Sequence, residues 1–277
     1  MAIIPPFFMN AVVAIRVVGN DNCKYWIGTG FLVGRKEKSN PALSTYYILT
    51  NKHVIKGQQS IVVRFNSFGG EFVKDYPICL FDTVGNALFS FHPHSETDII
   101  AMQIRPQTLI NDKSIWGAFD LDEHALTLAQ MKGSGVEEGS FVYALGFPMN
   151  LVSPIKTPIC RLGCISRISD AFILNQGTPT FLVDAQTFPG NSGGPIISRP
   201  EQLSITGTPA NGRANLIGIL SAYIPYKDTM VSQQTGEVRM VQTENSGLTI
   251  VHPVDRIKEV VEMEWARVNC QQPVLQR

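Results

Sequence analysis

Short apolar runs of strand length alternate with turn signals along most of this chain. Residues 46–50, 60–65, 99–104, 141–146, 172–175, 181–183 and 216–221 are rich in β-branched and aromatic side chains, which pack well on a pleated, half-buried surface. Residues 11–18 read as the first strand. Clusters of Gly, Pro and Asn separate the runs, the pattern of an all-β barrel or sandwich. The period changes near the end of the chain. There Val254, Ile257, Val261, Trp265 and Val268 recur at helical steps, and Pro253 suits a first turn, so a helix is predicted over 252–268. The Gly- and charge-rich stretch 132–139 is the predicted linker between two halves.

Composition narrows the class. A chain of 277 residues, 44% hydrophobic and 17% charged, can bury one large core or two medium ones. With 23 basic and 23 acidic residues, neither a nucleic-acid partner nor a polybasic membrane surface is expected. No apolar run reaches the length of about 18 residues that a spanning helix needs. Residues 1–18 are apolar but lack a basic leader and contain Pro5 and Pro6, so they read as part of the fold rather than as a signal peptide. The five cysteines (Cys23, Cys79, Cys160, Cys164, Cys270) form no compact framework, which points to a reducing cytoplasm. Cys160 and Cys164 lack a second pair at zinc spacing, and His92 and His94 lack a third ligand. No metal or cofactor is expected.

Candidate chemistry lies in Pro189-Gly190-Asn191-Ser192-Gly193-Gly194-Pro195. Glycine lets the main chain adopt positive φ and approach a ligand closely. A serine there can stand on a tight turn with the N–H groups of Gly190 and Ser192 aimed at one point, as acyl transfer requires. A base and an orienting acid must come from elsewhere. His53 ends the apolar run 48–54 at a polar turn, and Asp98 leads into the apolar run 99–102. Glu96, Asp112 and Asp120 compete with Asp98 but read as solvated loop charges. The order His, Asp, Ser has separations of 98 − 53 = 45 and 192 − 98 = 94 residues.

These segments resemble the trypsin-like serine peptidases. The match is nearest to bacterial branches that include the HtrA-type proteases and the staphylococcal glutamyl endopeptidases. Gly28-Thr29-Gly30-Phe31-Leu32-Val33 looks like the strand before the histidine, Thr50-Asn51-Lys52-His53-Val54 like the histidine box, and residues 142–148 like the strand opening the second barrel. The resemblance spans roughly 12–261. It implies an all-β fold of two six-stranded antiparallel β-barrels. One would cover residues 8–131 with His53 and Asp98, the other 132–251 with Ser192, and a C-terminal helix over 252–268 would pack on both. It further implies Ser192 as nucleophile, His53 as base, Asp98 as orienting acid, and the amides of Gly190 and Ser192 as the oxyanion hole. The residues after the helix are too few for a PDZ domain, so a stand-alone peptidase domain or one piece of a larger assembly is expected.

The chain also departs from the digestive trypsins. Asn191 replaces the aspartate that pairs with a new N-terminal ammonium, so activation by that ion pair is not expected. The resemblance assigns Gln186, Thr187, Ser221, Ala222, Tyr223 and Thr249 to substrate binding. Gln186 in place of an aspartate disfavours Lys or Arg at P1. Leu220 in place of a pocket histidine disfavours acidic residues, which leaves a small or medium uncharged side chain. Ser221 and Tyr223 lie on a strand edge that can pair with substrate backbone. Residues 199–215 and 225–246 are long polar segments at the cleft rim, the second holding a hairpin of 230–234 and 237–241 around Thr235 and Gly236. The expected activity is a cytoplasmic serine endopeptidase with a polypeptide substrate, regulated by a protein partner or by loop ordering. A catalytically silent peptide-binding module and an esterase are the alternatives.

Overall fold

The computed structural model describes residues 4–18, 24–37, 40–68, 72–173, 179–201 and 209–270. Among them, β1 (Val12–Val18), β2 (Lys24–Lys36), β3 (Ser44–Thr50), β4 (Ser60–Ser67), β5 (Val73–Cys79), β6 (Ser90–Phe91), β7 (Ile100–Ile104), β8 (Ser114–Ile115) and β9 (Phe119–Asp120) form one sheet. Its order is β5-β4-β1-β2-β3-β7-β6, with β8 added to β4 and β9 running parallel to β2. In β4 the alternate residues Ile61, Val63 and Phe65 are buried, as expected where one face of a sheet covers a core.

The second half is a closed barrel of β10 (Phe141–Gly146), β11 (Ile159–Arg167), β12 (Phe181–Asp184), β15 (Val238–Pro253), β14 (Asn215–Val231) and β13 (Pro195–Ser198), in that order. This is one of the two six-stranded barrels expected. The first half departs from its expected twin. Closure requires the two outermost strands to pair, and here β5 pairs with β4 while the two-residue β6 pairs with β7. The result is a nine-stranded sheet that is not closed.

The C-terminal helix is present as the longest of six α-helices among the described residues, starting two residues later than predicted. Short helices α1 (Pro6–Ala11), α2 (Lys52–Ile55), α3 (Pro106–Asn111), α4 (Leu128–Gly133) and α5 (Ser169–Ile173) precede α6 (Val254–Cys270). His252 and Pro253 still belong to β15 because they pair with Ile219 and Gly218. On α6, Val254, Ile257, Val260 and Val261 are at most 1% exposed. They share one cluster with Phe31 and Leu49 of the open sheet and Leu145 and Ile219 of the barrel. The helix therefore welds both halves, each such side chain contributing about 1.5–3 kcal/mol of burial. Glu264 is fully buried on the same helix, where its carboxylate accepts from Ser90 Oγ, the Gln103 amide and Arg267. No helix of the described residues is long and apolar enough to cross a membrane.

Three smaller expectations differ from the structure. Residues 172 and 173, read as strand, end α5 instead, while 174 and 175 lie outside the described residues. The Glu138 carboxylate accepts from the amides of Ile168 and Ser169 and from Ser169 Oγ, capping this helix from outside. Burial alone pushes the Glu138 pKa up, but those donors outweigh it and hold it at about 2. The stretch 132–139 begins inside α4, and Ala11 closes α1 rather than opening β1.

Candidate active site

The turn before β13 displays Ser192 at the junction of barrel and sheet. Gly190 has φ +98°, and a Cβ there would lie 2.4 Å from the oxygen of Phe147. Gly193 has φ +83°, and its Cβ would lie 2.1 Å from the oxygen of Thr29. Only glycine fits such close backbone approaches at positive φ. The amides of Asn191, Gly193 and Gly194 donate to Phe188, Leu220 and Asn191 oxygens, whereas those of Gly190 and Ser192 have no acceptor among the described residues. The Asn191 side chain is fully buried and accepts from the Phe188 amide at 3.1 Å, while its Nδ2 has no hydrogen-bond partner among the described residues. This neutral side chain braces the turn from within.

His53 and Asp98 meet across the same cleft. The run 48–54 leaves β3 and enters α2, which presents His53 half exposed. His53 Nδ1 lies 2.5 Å from Asp98 Oδ2, and the His53 amide donates to Asp98 Oδ1 at 3.2 Å. Asn51, fully buried, donates from Nδ2 to the Asp98 main-chain oxygen at 2.6 Å. Burial raises the Asp98 pKa, but the hydrogen bond and charge of His53 outweigh it and hold the carboxyl below its ordinary range. Ser192 Oγ donates to the main-chain oxygen of Ser221 at 3.1 Å, and Ser221 Oγ donates to Asp98 Oδ2 at 3.3 Å.

The predicted substrate residues divide. Thr187, Ser221, Ala222 and Tyr223 line a hollow of about 260 Å³ together with His53, Phe188, Pro189, Ser192 and Leu220. Thr249 stands behind that wall, fully buried, with Thr187 and Thr249 Oγ1 atoms 2.6 Å apart. Gln186 is not brought to the hollow. It is exposed, has φ +44°, and lines a separate recess with Arg161, Leu162, Asp184 and Ala185. From Ser221 onward β14 pairs with β15 alone among the described residues, which leaves one edge of 221–223 open. The predicted hairpin exists as the tip of an arm built by β14 and β15, pairing Tyr226 with Glu244 and Met230 with Met240.

Sequence reasoning missed several participants. Thr29 Oγ1 accepts from the Phe147 amide at 3.0 Å and donates to the Gly190 oxygen at 2.6 Å, knitting β2 to both sides of the turn. His252 Nε2 accepts from the Asp98 amide at 3.2 Å, and burial pushes its pKa down to about 4. A second hollow of about 480 Å³ adjoins His53 and Asp98, walled by Ile55, Leu80, Phe81, Phe89, Phe91 and Ile100. Nothing local marks Thr29 or His252, since their partners lie over 100 residues away. His92, weighed as a metal ligand, instead bonds Glu259 at 2.8 Å through Nε2.

No curated protein matches the sequence. Among solved structures, the chain is similar to the Rv3671c protease in an inactive form, at 14% identity and a TM-score of 0.47, over 92% of this chain and 89% of that one. The active form of that protease from M. tuberculosis gives 15% and 0.48, over 96% and 84%. A model of the trypsin-like peptidase domain matches residues 28–204. That match takes in well over half of the chain and every segment from the Gly28 strand through the Ser192 turn, and by it this chain belongs to the trypsin-like serine peptidases.

Proposed function

We propose that this peptidase cleaves polypeptides through Ser192, His53 and Asp98. The observation that carries the reading is the two-point contact of Asp98 with His53, through Nδ1 at 2.5 Å and the amide at 3.2 Å. With Asp98 ionised and bound to Nδ1–H, Nε2 carries the free lone pair of a base. A rotation of Ser192 about χ1 leaves the Ser221 oxygen and brings Oγ toward that nitrogen. The bond given up is worth about 1 kcal/mol net, a small cost against substrate binding. Oγ then bonds to the scissile carbonyl carbon as its proton passes to His53. The C–N bond breaks as the imidazolium returns that proton to the leaving amine, and water repeats the sequence on the acyl-enzyme. The Gly190 and Ser192 amides serve the oxyanion, each worth on the order of 10²–10³ in rate.

Among the described residues the hollow beside Ser192 is lined by no Asp, Glu, Lys or Arg, which supports a small or medium uncharged residue at P1. The open edge at 221–223 suits an extended substrate backbone. Control by a protein partner is supported by the β14–β15 arm, where Met230, Val231, Val238, Met240 and Val241 are exposed. A cytoplasmic setting is supported by Cys79, Cys160 and Cys164 being free thiols; Cys23 and the side chain of Cys270 lie outside the described residues.

The test is fluorophosphonate labelling of wild type and Ser192→Ala alongside peptide-library cleavage. Labelling confined to wild type, with cleavage after uncharged residues, is expected. Folded wild type that neither labels nor cleaves would overturn the reading, and labelling with ester but no peptide turnover would favour the esterase.

A further inference from the structure

Lys156 lies outside the cleft yet is only 2% exposed. Its Nζ donates to the main-chain oxygens of Val12 at 2.6 Å and Asn10 at 3.3 Å, and sits 5.8 Å from the centroid of the Phe65 ring. Its own backbone is clamped by the Asn66 side chain, which accepts from the Lys156 amide and donates to the Lys156 oxygen, both at 2.7 Å. No carboxylate pairs with it among the described residues, and burial lowers its pKa to about 7. Burying an ammonium without a counter-ion is costly, and an apolar side chain of similar length would fill the space without that cost. What the lysine supplies is reach with donors at its tip.

The loop that Lys156 ends touches the oxyanion turn at its other end. The Met149 amide donates to the Pro189 oxygen at 2.7 Å, and the Phe147 oxygen packs against Gly190. Met149 and Asn150 have φ of +53° and +59°. Left-handed backbone at a residue other than glycine is strained and persists when its surroundings over-determine it. Here the surroundings are the Pro189 oxygen on one side and the Lys156 and Asn66 anchors on the other.

We propose that Lys156 is a positioning residue for the oxyanion turn. By tying residues 147–158 to the start of β1, it keeps Met149 against Pro189 and the Gly190 amide aimed into the cleft. The inference rests on the proposed role of the Gly190 and Ser192 amides, and it adds a tether that no residue in the cleft reveals.

Two variants test it: Lys156→Met, which keeps the stem and removes the donors, and Asn66→Ala, which loosens the clamp and leaves the lysine. In both, amide hydrogen exchange is expected to rise about tenfold or more at 149–152 and at 190–192, as a local opening predicts. The kcat on a peptide substrate should fall about 10- to 100-fold, below the ceiling for one lost oxyanion donor, with KM within about threefold. Affinity for a peptide boronate should fall in step with kcat, while affinity for a product peptide holds, because the boronate engages the oxyanion donors. Lys156→Arg, which retains donors, should recover part of kcat. Faster exchange confined to 151–158, or unchanged kcat per folded molecule, would overturn the proposal. If Lys156→Met fails to fold, Asn66→Ala carries the same comparisons. Wild type that takes no fluorophosphonate would remove the peptidase reading of Ser192, and the exchange data would still decide whether Lys156 holds the turn.

Discussion

Ser192 donates its hydroxyl hydrogen to the main-chain oxygen of Ser221 across 3.1 Å. The hydroxyl of Ser221 points the other way, to Asp98 Oδ2 at 3.3 Å. One residue on β14 thus parks the proposed nucleophile and supports the proposed acid. Ser221→Ala removes only the second function. A hydrogen bond to a charged group is worth about 1.5–3 kcal/mol, so kcat should fall about tenfold while KM stays within about twofold, measured by steady-state kinetics.

Asp98→Asn should lower kcat by on the order of 10⁴ with little loss of fold, because an amide favours the wrong imidazole tautomer. The folded pKa of Asp98 is depressed, so its stabilising contribution is present above the ordinary carboxylate range and is lost as pH falls through the lower folded value. Comparing urea midpoints of the two proteins across acid pH checks the second statement.

His252 gives a sharper acid signature. Its pKa is pushed from 6.5 to about 4, by burial first. Between those values the unfolded chain binds a proton that the folded chain refuses, so stability falls as pH drops from about 6.5 to about 4. The full contribution is roughly 3 kcal/mol. His252→Gln should flatten that limb in urea denaturation, and an unchanged slope would show that other groups carry it.

Thr29→Val keeps volume but deletes the hydroxyl that serves the Phe147 amide and the Gly190 oxygen. Stranding buried polar groups costs about 1–3 kcal/mol, read as a lower thermal midpoint. Because one stranded group belongs to the turn that carries Ser192 and the proposed oxyanion donors, the fluorophosphonate labelling rate should drop as well.

Lys156 predicts a pH limb of the opposite range. Its folded pKa of about 7 lies below the ordinary 10.5, so the unfolded state holds the proton between those values and stability rises with pH across them. The groups facing Nζ are the Asn10 and Val12 carbonyls and the Phe65 ring, none of which titrates. The rise is on the order of 5 kcal/mol and should vanish in Lys156→Met.

Local chemistry made much of this protein legible. Strand runs such as 46–50 and 141–146 declared themselves by composition, and α6 by its three- and four-residue apolar steps, because both signals depend on neighbours within one element. Residues 172–173 were misread as strand because the carboxylate that caps α5 belongs to Glu138, some 30 residues earlier. The open first sheet was not legible either, since whether outer strands meet depends on long-range pairing that no local run encodes.

The site divides in the same way. The sequence by itself determined which residues are proposed for the chemistry: a serine among glycines, a histidine at the end of one strand and an aspartate at the head of another. Tertiary structure decided how they are held and what surrounds them. It placed Thr187 and Tyr223 in the hollow and Gln186 outside it, put His252 behind Asp98, joined Thr29 to Gly190, and tied Lys156 to the start of β1. Nucleophiles and turns follow from residue type and backbone sterics close by in the chain. Their supports are buried polar contacts across more than 100 residues, and only the packed fold brings those partners together.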